Sequence, residues 1–195
     1  MGTFLLSLSA NESVLTDSDI ESKIKKHTYR LSLDGETTCQ LPLVDTTKGT
    51  FTAAHCTDEL KQNGYTSFFG INDNGKKKTF KLIKSRYEDR GMDYAFLSDG
   101  DKEGIEVGDS DLVRQGDRVY IYSPKLGMTS GTAVVVPNKR INPDKIYLDI
   151  GYCGESGSGV YNEDAELIGI FVARTGTPAH PRGVMIPINS ILKDL

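Results

Sequence analysis

The feature that most limits the possible folds of this chain is a series of short β-prone runs separated by turn residues. Runs of this kind, bounded by Gly, Asn, Asp and Pro, are typical of strands in antiparallel sheets. The sequence Asn72-Asp-Asn-Gly75 lies between two such runs and predicts a hairpin turn. The pattern therefore predicts an all-β protein. The runs cover residues 29–33, 37–44, 50–53, 67–71, 79–83 and 94–97, and then 118–122, 131–136, 145–150, 159–161, 167–173 and 183–187.

An acidic stretch divides these runs into two sets. Residues 98–117 hold seven acidic residues and four glycines, and we interpret them as a linker between two lobes. The predicted organisation is an N-terminal extension (1–28), an N-terminal β lobe (29–97), the interlobe linker (98–117) and a C-terminal β lobe (118–195).

Two short helices are expected outside the strands. Residues 17–26 follow Thr16 and Ser18 as candidate caps and end in lysines, which suit a helix C-terminus. Residues 189–195 are expected to form a closing helix with Asn189 as its cap.

The composition argues against two classes of partner. The net charge is −4 and no basic stripe stands out, so we expect no nucleic-acid binding. No apolar run reaches the roughly 20 residues needed to cross a bilayer, so we expect no membrane span. Residues 3–10 are apolar but lack the basic region of a signal peptide.

A serine between glycines is the strongest candidate for chemistry. Ser156 lies in Gly151-Tyr-Cys-Gly-Glu-Ser-Gly-Ser-Gly159, directly after a β-prone run. Glycine lets the backbone turn sharply, so that N–H groups can converge beside the hydroxyl. Acyl transfer needs such a nucleophile and such donors for the oxyanion it creates. Because Gly-Ser runs are also ordinary flexible loops, the interpretation depends on finding a base and a carboxylate elsewhere.

The candidate base is His55, one of three histidines. It follows a strand-like run and two alanines, whose small side chains leave room for close packing around an imidazole. His27 lies in a charged stretch and is interpreted as a surface residue. His180 lies in a loop between two prolines, which suits a base poorly.

The candidate carboxylate is Asp93, which opens the apolar run 93–97 and should be partly buried. A buried carboxylate can hold a histidine in the correct tautomer and stabilise the imidazolium. Asp89 and Asp99 lie in polar surroundings and are expected to be solvated. The structural alternative is that Asp93 only caps a strand.

The order of these three residues separates two enzyme classes. An α/β-hydrolase runs serine, acid, histidine and carries its serine in G-x-S-x-G. Here the second residue after Ser156 is Ser158, so that pattern fails. Histidine, aspartate, serine is the order of chymotrypsin-like enzymes.

On these segments the chain resembles the chymotrypsin-like (trypsin-like) serine proteases. Thr52-Ala-Ala-His-Cys56 resembles the histidine motif, Asp93-Tyr-Ala-Phe-Leu97 the aspartate motif, and Gly154-Glu-Ser-Gly-Ser-Gly159 the serine motif. The stretch 108–132 is similar to the interdomain crossing of HtrA-like and glutamyl-endopeptidase-like enzymes, and 167–188 to the closing hairpin. The resemblance spans residues 29–195.

This resemblance implies a fold and an activity. The fold would be two six-stranded antiparallel β-barrels with the active site in the cleft between them. The activity would be a serine endopeptidase that hydrolyses peptide bonds through an acyl-enzyme, with His55, Asp93 and Ser156 as the triad. The N–H groups of Gly154 and Ser156 would form the oxyanion hole. No cofactor or metal is implied, and the substrate would be a peptide or protein, with the chain's own precursor as one alternative.

The resemblance also implies a substrate pocket. Ile150 stands where trypsin-like enzymes read the residue before the scissile bond (P1), and its apolar side chain argues against Lys or Arg there. Phe171 stands where Glu- or Gln-selective relatives carry a histidine, which disfavours an acidic P1, although Arg174, His180 and Arg182 could supply positive charge. We expect a small or aliphatic P1. The implied substrate-binding residues are Ile150, Tyr152, Cys153, Val172, Ala173, Arg174 and Gly183.

Several positions depart from the family pattern. Ser158 replaces a glycine, and Glu155 stands where Asp or Asn is usual. There is no Ile-Val-Gly-Gly-type activation site, so we do not expect activation by a freed N-terminus. No PDZ-like segment follows residue 195, so cage assemblies of the HtrA type are not implied. Two alternatives therefore stay open: a catalytically silent or regulated peptide-binding module on the same fold, and an esterase.

The three cysteines leave the compartment open. Cys39 and Cys56 occupy positions similar to the family's disulfide next to the catalytic histidine, and Cys153 is expected to be a free thiol lining the cleft. A Cys39–Cys56 disulfide would indicate an oxidising compartment and secretion. Free thiols would fit a cytosolic or viral-polyprotein origin. No Cys/His spacing resembles a zinc site.

Overall fold

A computed structural model of the chain describes residues 14–32, 37–45, 49–88, 91–98, 103–134, 145–177 and 180–195. Six strands belong to the first half of the chain: β1 (Thr28–Ser32), β2 (Thr37–Pro42), β3 (Thr50–Thr52), β4 (Ser67–Asn72), β5 (Lys77–Tyr87) and β6 (Asp93–Ser98). Six belong to the second: β7 (Arg118–Ser123), β8 (Gly127–Val134), β9 (Ile146–Leu148), β10 (Gly159–Tyr161), β11 (Leu167–Thr177) and β12 (His180–Pro187). The α-helices are α1 (Asp17–Lys26), α2 (His55–Gln62) and α3 (Ile188–Asp194).

The first six strands form an antiparallel sheet that curls into a nearly closed barrel. Its strand order is β2-β1-β4-β5-β6-β3, so β2 and β3 are the two edges. Threonine side chains join these edges: the Thr52 hydroxyl donates to the carbonyl of Gln40 at 2.7 Å, and the Thr50 hydroxyl donates to the carbonyl of Pro42. These bonds satisfy edge carbonyls that would otherwise lack a strand partner.

The second six strands form a closed barrel in the order β10-β11-β12-β9-β8-β7. Its strand pairs are antiparallel as well. The prediction of an all-β fold with two six-stranded antiparallel β-barrels is therefore confirmed.

Helices α1 and α3 lie where the sequence placed helices, but one cap differs. Thr16 caps α1 in a reciprocal arrangement, in which its hydroxyl accepts from the N–H of Asp19 and the Asp19 carboxylate accepts from the N–H of Thr16. Pro187 precedes α3, and Asn189 is not its cap. The side chain of Asn189 instead donates to Asp109 at 2.6 Å.

Apolar packing joins the two barrels. One buried cluster includes Tyr29 and Phe80 of the first barrel and also Tyr120 and Tyr161 of the second, while a smaller cluster lies within the second barrel alone. Helix α1 adds the buried Ile20 to the larger cluster. Of the helices in the described ranges, none is both long and apolar enough to span a membrane.

Candidate active site

His55 is the first residue of α2, and two residues separate it from the end of β3. Ala53 and Ala54 precede it and are completely buried, and the Thr57 hydroxyl donates to the carbonyl of Ala54 at 2.9 Å. This tight turn leaves the His55 side chain 37% exposed. The sequence did not predict helix α2, because a strand-like run leads directly into it.

Asp93 opens β6 and receives two hydrogen bonds from His55. The imidazole Nδ1 lies 2.7 Å from Asp93 Oδ2, and the backbone N–H of His55 donates to Oδ1 at 3.1 Å. An ionised carboxylate can only accept hydrogen bonds, so Nδ1 carries the proton. In neutral His55 the other ring nitrogen, Nε2, is then the basic one. This is the tautomer in which a histidine can act as a general base.

The surroundings of the pair also affect its protonation. The hydrogen bond to Asp93 raises the pKa of His55 above its ordinary value, and burial opposes this shift. The Asp93 side chain is 11% exposed, so solvent screens the interaction weakly. The imidazolium is therefore stabilised.

Ser156 lies in a short loop that the second barrel holds. The N–H of Gly157 donates to the carbonyl of Phe171, and the N–H of Phe171 donates to the carbonyl of Ser158, both at 2.8 Å. The N–H of Ser158 turns back to the carbonyl of Glu155 at 2.9 Å. These bonds fix the backbone on both sides of Ser156.

The same loop also contacts the first barrel. The N–H of Gln40 donates to the carbonyl of Ser156 at 2.8 Å. Gly157 has a φ of +82°, and a Cβ there would lie 2.2 Å from Thr52 Oγ1. Gln40 adjoins Cys39, whose sulfur lies within 4.8 Å of a ring nitrogen of His55, and Thr52 lies three residues before that histidine. These contacts bring the Ser156 loop to β2 and to β3, the strand that leads into His55.

The Ser156 hydroxyl itself makes no hydrogen bond to His55 among the residues that the structure describes. Catalytic hydrogen bonds are often long in free enzymes and shorten when substrate binds. The absence of this bond in the free chain is therefore compatible with a catalytic role for Ser156.

Two N–H groups beside Ser156 are open to a ligand. Within the described ranges, neither the N–H of Gly154 nor that of Ser156 donates to a protein acceptor. Gly154 has a φ of +93°, a conformation that favours glycine, and nothing lies near its Cβ position. Both N–H groups are therefore available to a ligand, which is one requirement of an oxyanion-binding pair.

Glu155 lies between these two donors, and its side chain points into the protein. The residue is completely buried, and the N–H of Tyr152 donates to its Oε2 at 2.7 Å. Burial raises the pKa of this carboxyl, and its Oε1 has no partner among the described residues. Glu155 thus ties the loop back to Tyr152. Sequence reasoning identified Glu155 only as an unusual residue.

Two glycine backbones lie against one aromatic ring beside the Ser156 loop. A Cβ on Gly151 would lie 2.3 Å from Phe171 Cε2, and a Cβ on Gly183 would lie 2.9 Å from the same atom. The Phe171 ring therefore lies against both glycine backbones. The Ile150 side chain lies against Gly131 on β8. Sequence reasoning noted Phe171 for its position, but the role of its ring depends on two glycines that no spacing pattern relates to it.

An open cleft of about 410 Å³ lies between the barrels. Tyr87, Glu88 and Asp93 line it from the first barrel. The second barrel contributes the predicted residues Val172, Ala173 and Arg174. Tyr152 is 47% exposed, and Cys153 is an exposed free thiol that borders a second hollow with Arg174.

The cysteines of the first barrel are bonded to each other. Cys39 and Cys56 form a disulfide with a Cα–Cα distance of 5.9 Å. Their sulfurs and His55 come within 4.8 Å of one another, which is close enough for a metal site. The disulfide, however, consumes the thiolates that would bind the ion.

Comparisons with known proteins give similarity of structure only. No protein-family model and no curated protein matches the sequence. The structure of Deg5 matches with a TM-score of 0.69 and 18% identity, covering 96% of this chain and 95% of that chain. A chymotrypsin from Cellulomonas bogoriensis matches with a TM-score of 0.59 and 19% identity, covering 85% and 92%. The chain has the chymotrypsin-like fold.

A second match concerns a longer protein. The HtrA-type protease AlgW with a decapeptide has a TM-score of 0.67 and 18% identity, covering 92% of this chain and 66% of that chain. The chain thus spans slightly less than two thirds of the AlgW chain. His55 follows β3 of the first barrel, Asp93 opens β6 of the same barrel and lines the cleft, and the Ser156 loop precedes β10 of the second barrel.

Proposed function

We propose that this chain is a serine endopeptidase in which Ser156 is the nucleophile, His55 the general base and acid, and Asp93 the residue that orients His55. The observation that carries the proposal is the Asp93–His55 pair, with Nδ1 bonded at 2.7 Å, beside a Ser156 loop anchored to both barrels. A strand-capping aspartate would not account for both of its oxygens accepting from one histidine.

Acylation follows from these positions. Ser156 Oγ attacks the peptide carbonyl carbon while His55 Nε2 takes the hydroxyl proton, and the carbonyl electrons move to the oxygen. The N–H groups of Gly154 and Ser156 stabilise that oxyanion, at about 3–4 kcal/mol for each donor in comparable sites. The tetrahedral intermediate then expels the amine, which takes the proton from His55.

Deacylation repeats the cycle with water. His55 accepts a proton from water, the resulting hydroxide attacks the acyl carbon, and Ser156 leaves as its alcohol with the proton returned from His55. Asp93 keeps the same bond to Nδ1 in both halves, so the ring does not need to reorient.

The substrate would bind as an added strand. Strand β11 pairs with β12 along Arg174 and Thr175, whereas its pairing with β10 ends at Ile170. The other edge from Val172 onward faces the cleft and can pair with an extended peptide. A peptide ligand is also in line with the AlgW structure, which contains a decapeptide.

We further propose a small or aliphatic P1 side chain. The Phe171 ring lies against Gly151 and Gly183 and would fill the space that a long P1 side chain needs. Of the cations that an acidic P1 would need, Arg182 and His180 lie farther along the hairpin, opposite Thr175 and Thr177. Arg174 lies opposite Gly183 and lines the cleft, so it is the one of these three that an acidic P1 side chain would meet. Proteomic profiling of cleavage sites tests this, and strong cleavage after Lys would contradict it.

The test of the proposed function is hydrolysis of a peptide library and of a matched ester by the wild type and by Ser156→Ala. We expect the wild type to cleave amides, and Ser156→Ala to lose the activity on both substrates. Cleavage of esters alone would indicate the esterase, because amide cleavage needs His55 as general acid. No cleavage of either by folded protein would indicate a silent peptide-binding module.

A further inference from the structure

We propose that Asp194, acting through Tyr94, is a positioning residue for the His55–Asp93 pair. The inference rests on the proposed function, since it concerns the same pair. Asp194 ends helix α3, which follows the last strand of the second barrel, and its carboxylate contacts the first barrel directly.

Three donors from the first barrel meet this carboxylate. The Tyr94 hydroxyl donates to Oδ2 at 2.5 Å, and Lys84 Nζ lies 3.3 Å from the same oxygen. The Arg86 guanidinium donates to Oδ1. Tyr94 is completely buried and the Asp194 side chain is 22% exposed, whereas the Lys84 and Arg86 side chains are each 39% exposed, so the cluster joins a buried hydroxyl to two surface cations. The hydrogen bond from Tyr94, together with Lys84 and Arg86, lowers the pKa of Asp194.

The register of the sheet relates this cluster to the candidate triad. Arg86 lies opposite Tyr94, and Tyr87 lies opposite Asp93, across the β5–β6 ladder. Successive side chains of a strand point to opposite faces. Asp93 is thus bonded to His55 on one face of β6, while the next residue is bonded to Asp194 on the other.

Helix α3 is itself fixed to the second half of the chain. Ile188 and Ile191 are buried, and the Asn189 N–H donates to Ser110 Oγ at 3.0 Å. The Asn189 side chain also donates to Asp109 at 2.6 Å. Asp194 therefore holds the start of β6 relative to the barrel that carries Ser156. Loss of this contact would let Asp93 shift against the Ser156 loop, and small shifts of a base weaken catalysis strongly.

The chain offers a matched control elsewhere. Tyr120 is also buried, its hydroxyl donates to Asp17 at 3.0 Å, and Arg118 pairs with the same carboxylate at 2.8 Å. This cluster has the same chemistry but lies on β7 and α1, away from Asp93. Tyr120→Phe therefore removes an equivalent hydroxyl without touching β6.

The experiment compares Tyr94→Phe and Asp194→Asn with Tyr120→Phe in the full chain. The first readout is the His55 imidazole titration by NMR in the Ser156→Ala background, which requires no turnover. We expect Tyr94→Phe and Asp194→Asn each to lower the His55 pKa by about half a unit or more, because the bond to Asp93 loosens. Tyr120→Phe should leave it at the parent value.

The second readout is kinetic. In the Ser156 protein we expect Tyr94→Phe to lower kcat by roughly threefold to thirtyfold with KM unchanged. The double variant should add little to either single change, because both remove the same contact.

Two results would overturn the inference. One is an unchanged His55 titration in Tyr94→Phe, even with a lowered Tm, since Asp194 would then serve stability alone. The other is an equal shift in Tyr120→Phe. If Asp194→Asn does not fold, Tyr94→Phe decides by itself. A shifted titration in a chain that hydrolyses nothing supports the positioning role and refutes the proposed function, so the two failures are distinguishable.

Discussion

Replacing Asp93 by Asn removes a charge and one acceptor at the centre of the candidate site. His55 presents two donors to this residue, its backbone N–H at 3.1 Å and its Nδ1–H at 2.7 Å. An amide has a single oxygen, so it can satisfy only one of them. The backbone N–H cannot lose its proton, whereas the ring can move its proton from Nδ1 to Nε2. The oxygen should therefore stay with the backbone and the amide NH₂ should face Nδ1.

The size of the effect follows from this forced tautomer. With the proton on Nε2, His55 has no lone pair available for the Ser156 hydroxyl. Loss of the correct tautomer in such triads lowers kcat by about 10⁴-fold, which corresponds to roughly 5.5 kcal/mol of transition-state stabilisation. The imidazolium also loses the charged acceptor that stabilises it, so the His55 pKa should fall.

The assay is the pH profile of kcat/KM on a peptide substrate, with Ser156→Ala as the background control and circular dichroism as the control for folding. We expect Asp93→Asn to reach about 10⁻⁴ of the wild-type rate near neutral pH. A folded Asp93→Asn protein that keeps a tenth or more of the activity would refute the reasoning, since Asp93 would then only cap a strand.

Three further predictions concern the loop, the disulfide and pH. Gly157→Ala should reduce activity and lower the free energy of unfolding by about 1–3 kcal/mol, as measured by urea unfolding. The added Cβ would lie 2.2 Å from Thr52 Oγ1, and the residue has a φ of +82°. Reduction of the Cys39–Cys56 disulfide, which spans 17 residues, should destabilise the protein by about 3 kcal/mol, measured by urea unfolding with and without dithiothreitol. His55 must be neutral to accept a proton, and the bond to Asp93 raises its pKa. The midpoint of the fall in kcat/KM at acidic pH should therefore lie above the ordinary histidine pKa of about 6.5.

A specific result would contradict each of these three predictions. Gly64→Ala is the control for Gly157→Ala, since Gly64 also has a positive φ of +79° but nothing lies near its Cβ position. Equal effects of the two changes would mean that the contact of Gly157 with the first barrel contributes nothing. Unfolding curves that coincide with and without dithiothreitol would contradict the role of the disulfide. A midpoint below the ordinary value would mean that Asp93 does not interact with His55 in solution.

The residues with a distinctive type and order were predictable from the sequence. A histidine after two alanines, one acid before an apolar run and a serine among glycines define the candidate triad without coordinates. The regular alternation of strands and turns predicted only an all-β protein, and the two barrels followed from the resemblance.

The residues whose role depends on tertiary contacts were not predictable. The position of Phe171 suggested only that an acidic P1 is disfavoured, and the packing of its ring against Gly151 and Gly183 could not be predicted. Asp194 meets Tyr94 across 100 residues of sequence, and no local pattern relates such positions. The Asn189 cap was wrong because Asp109 and Ser110, distant in sequence, bind that residue.

Labelling with a fluorophosphonate probe, followed by mass spectrometry of the modified peptide, tests the central claim most directly. The probe reacts with a serine only when a base activates it and N–H donors stabilise the developing charge. The account predicts one modified site, Ser156, with labelling abolished in Ser156→Ala and greatly slowed in Asp93→Asn. Wild-type protein that is folded but not labelled at Ser156 would contradict it.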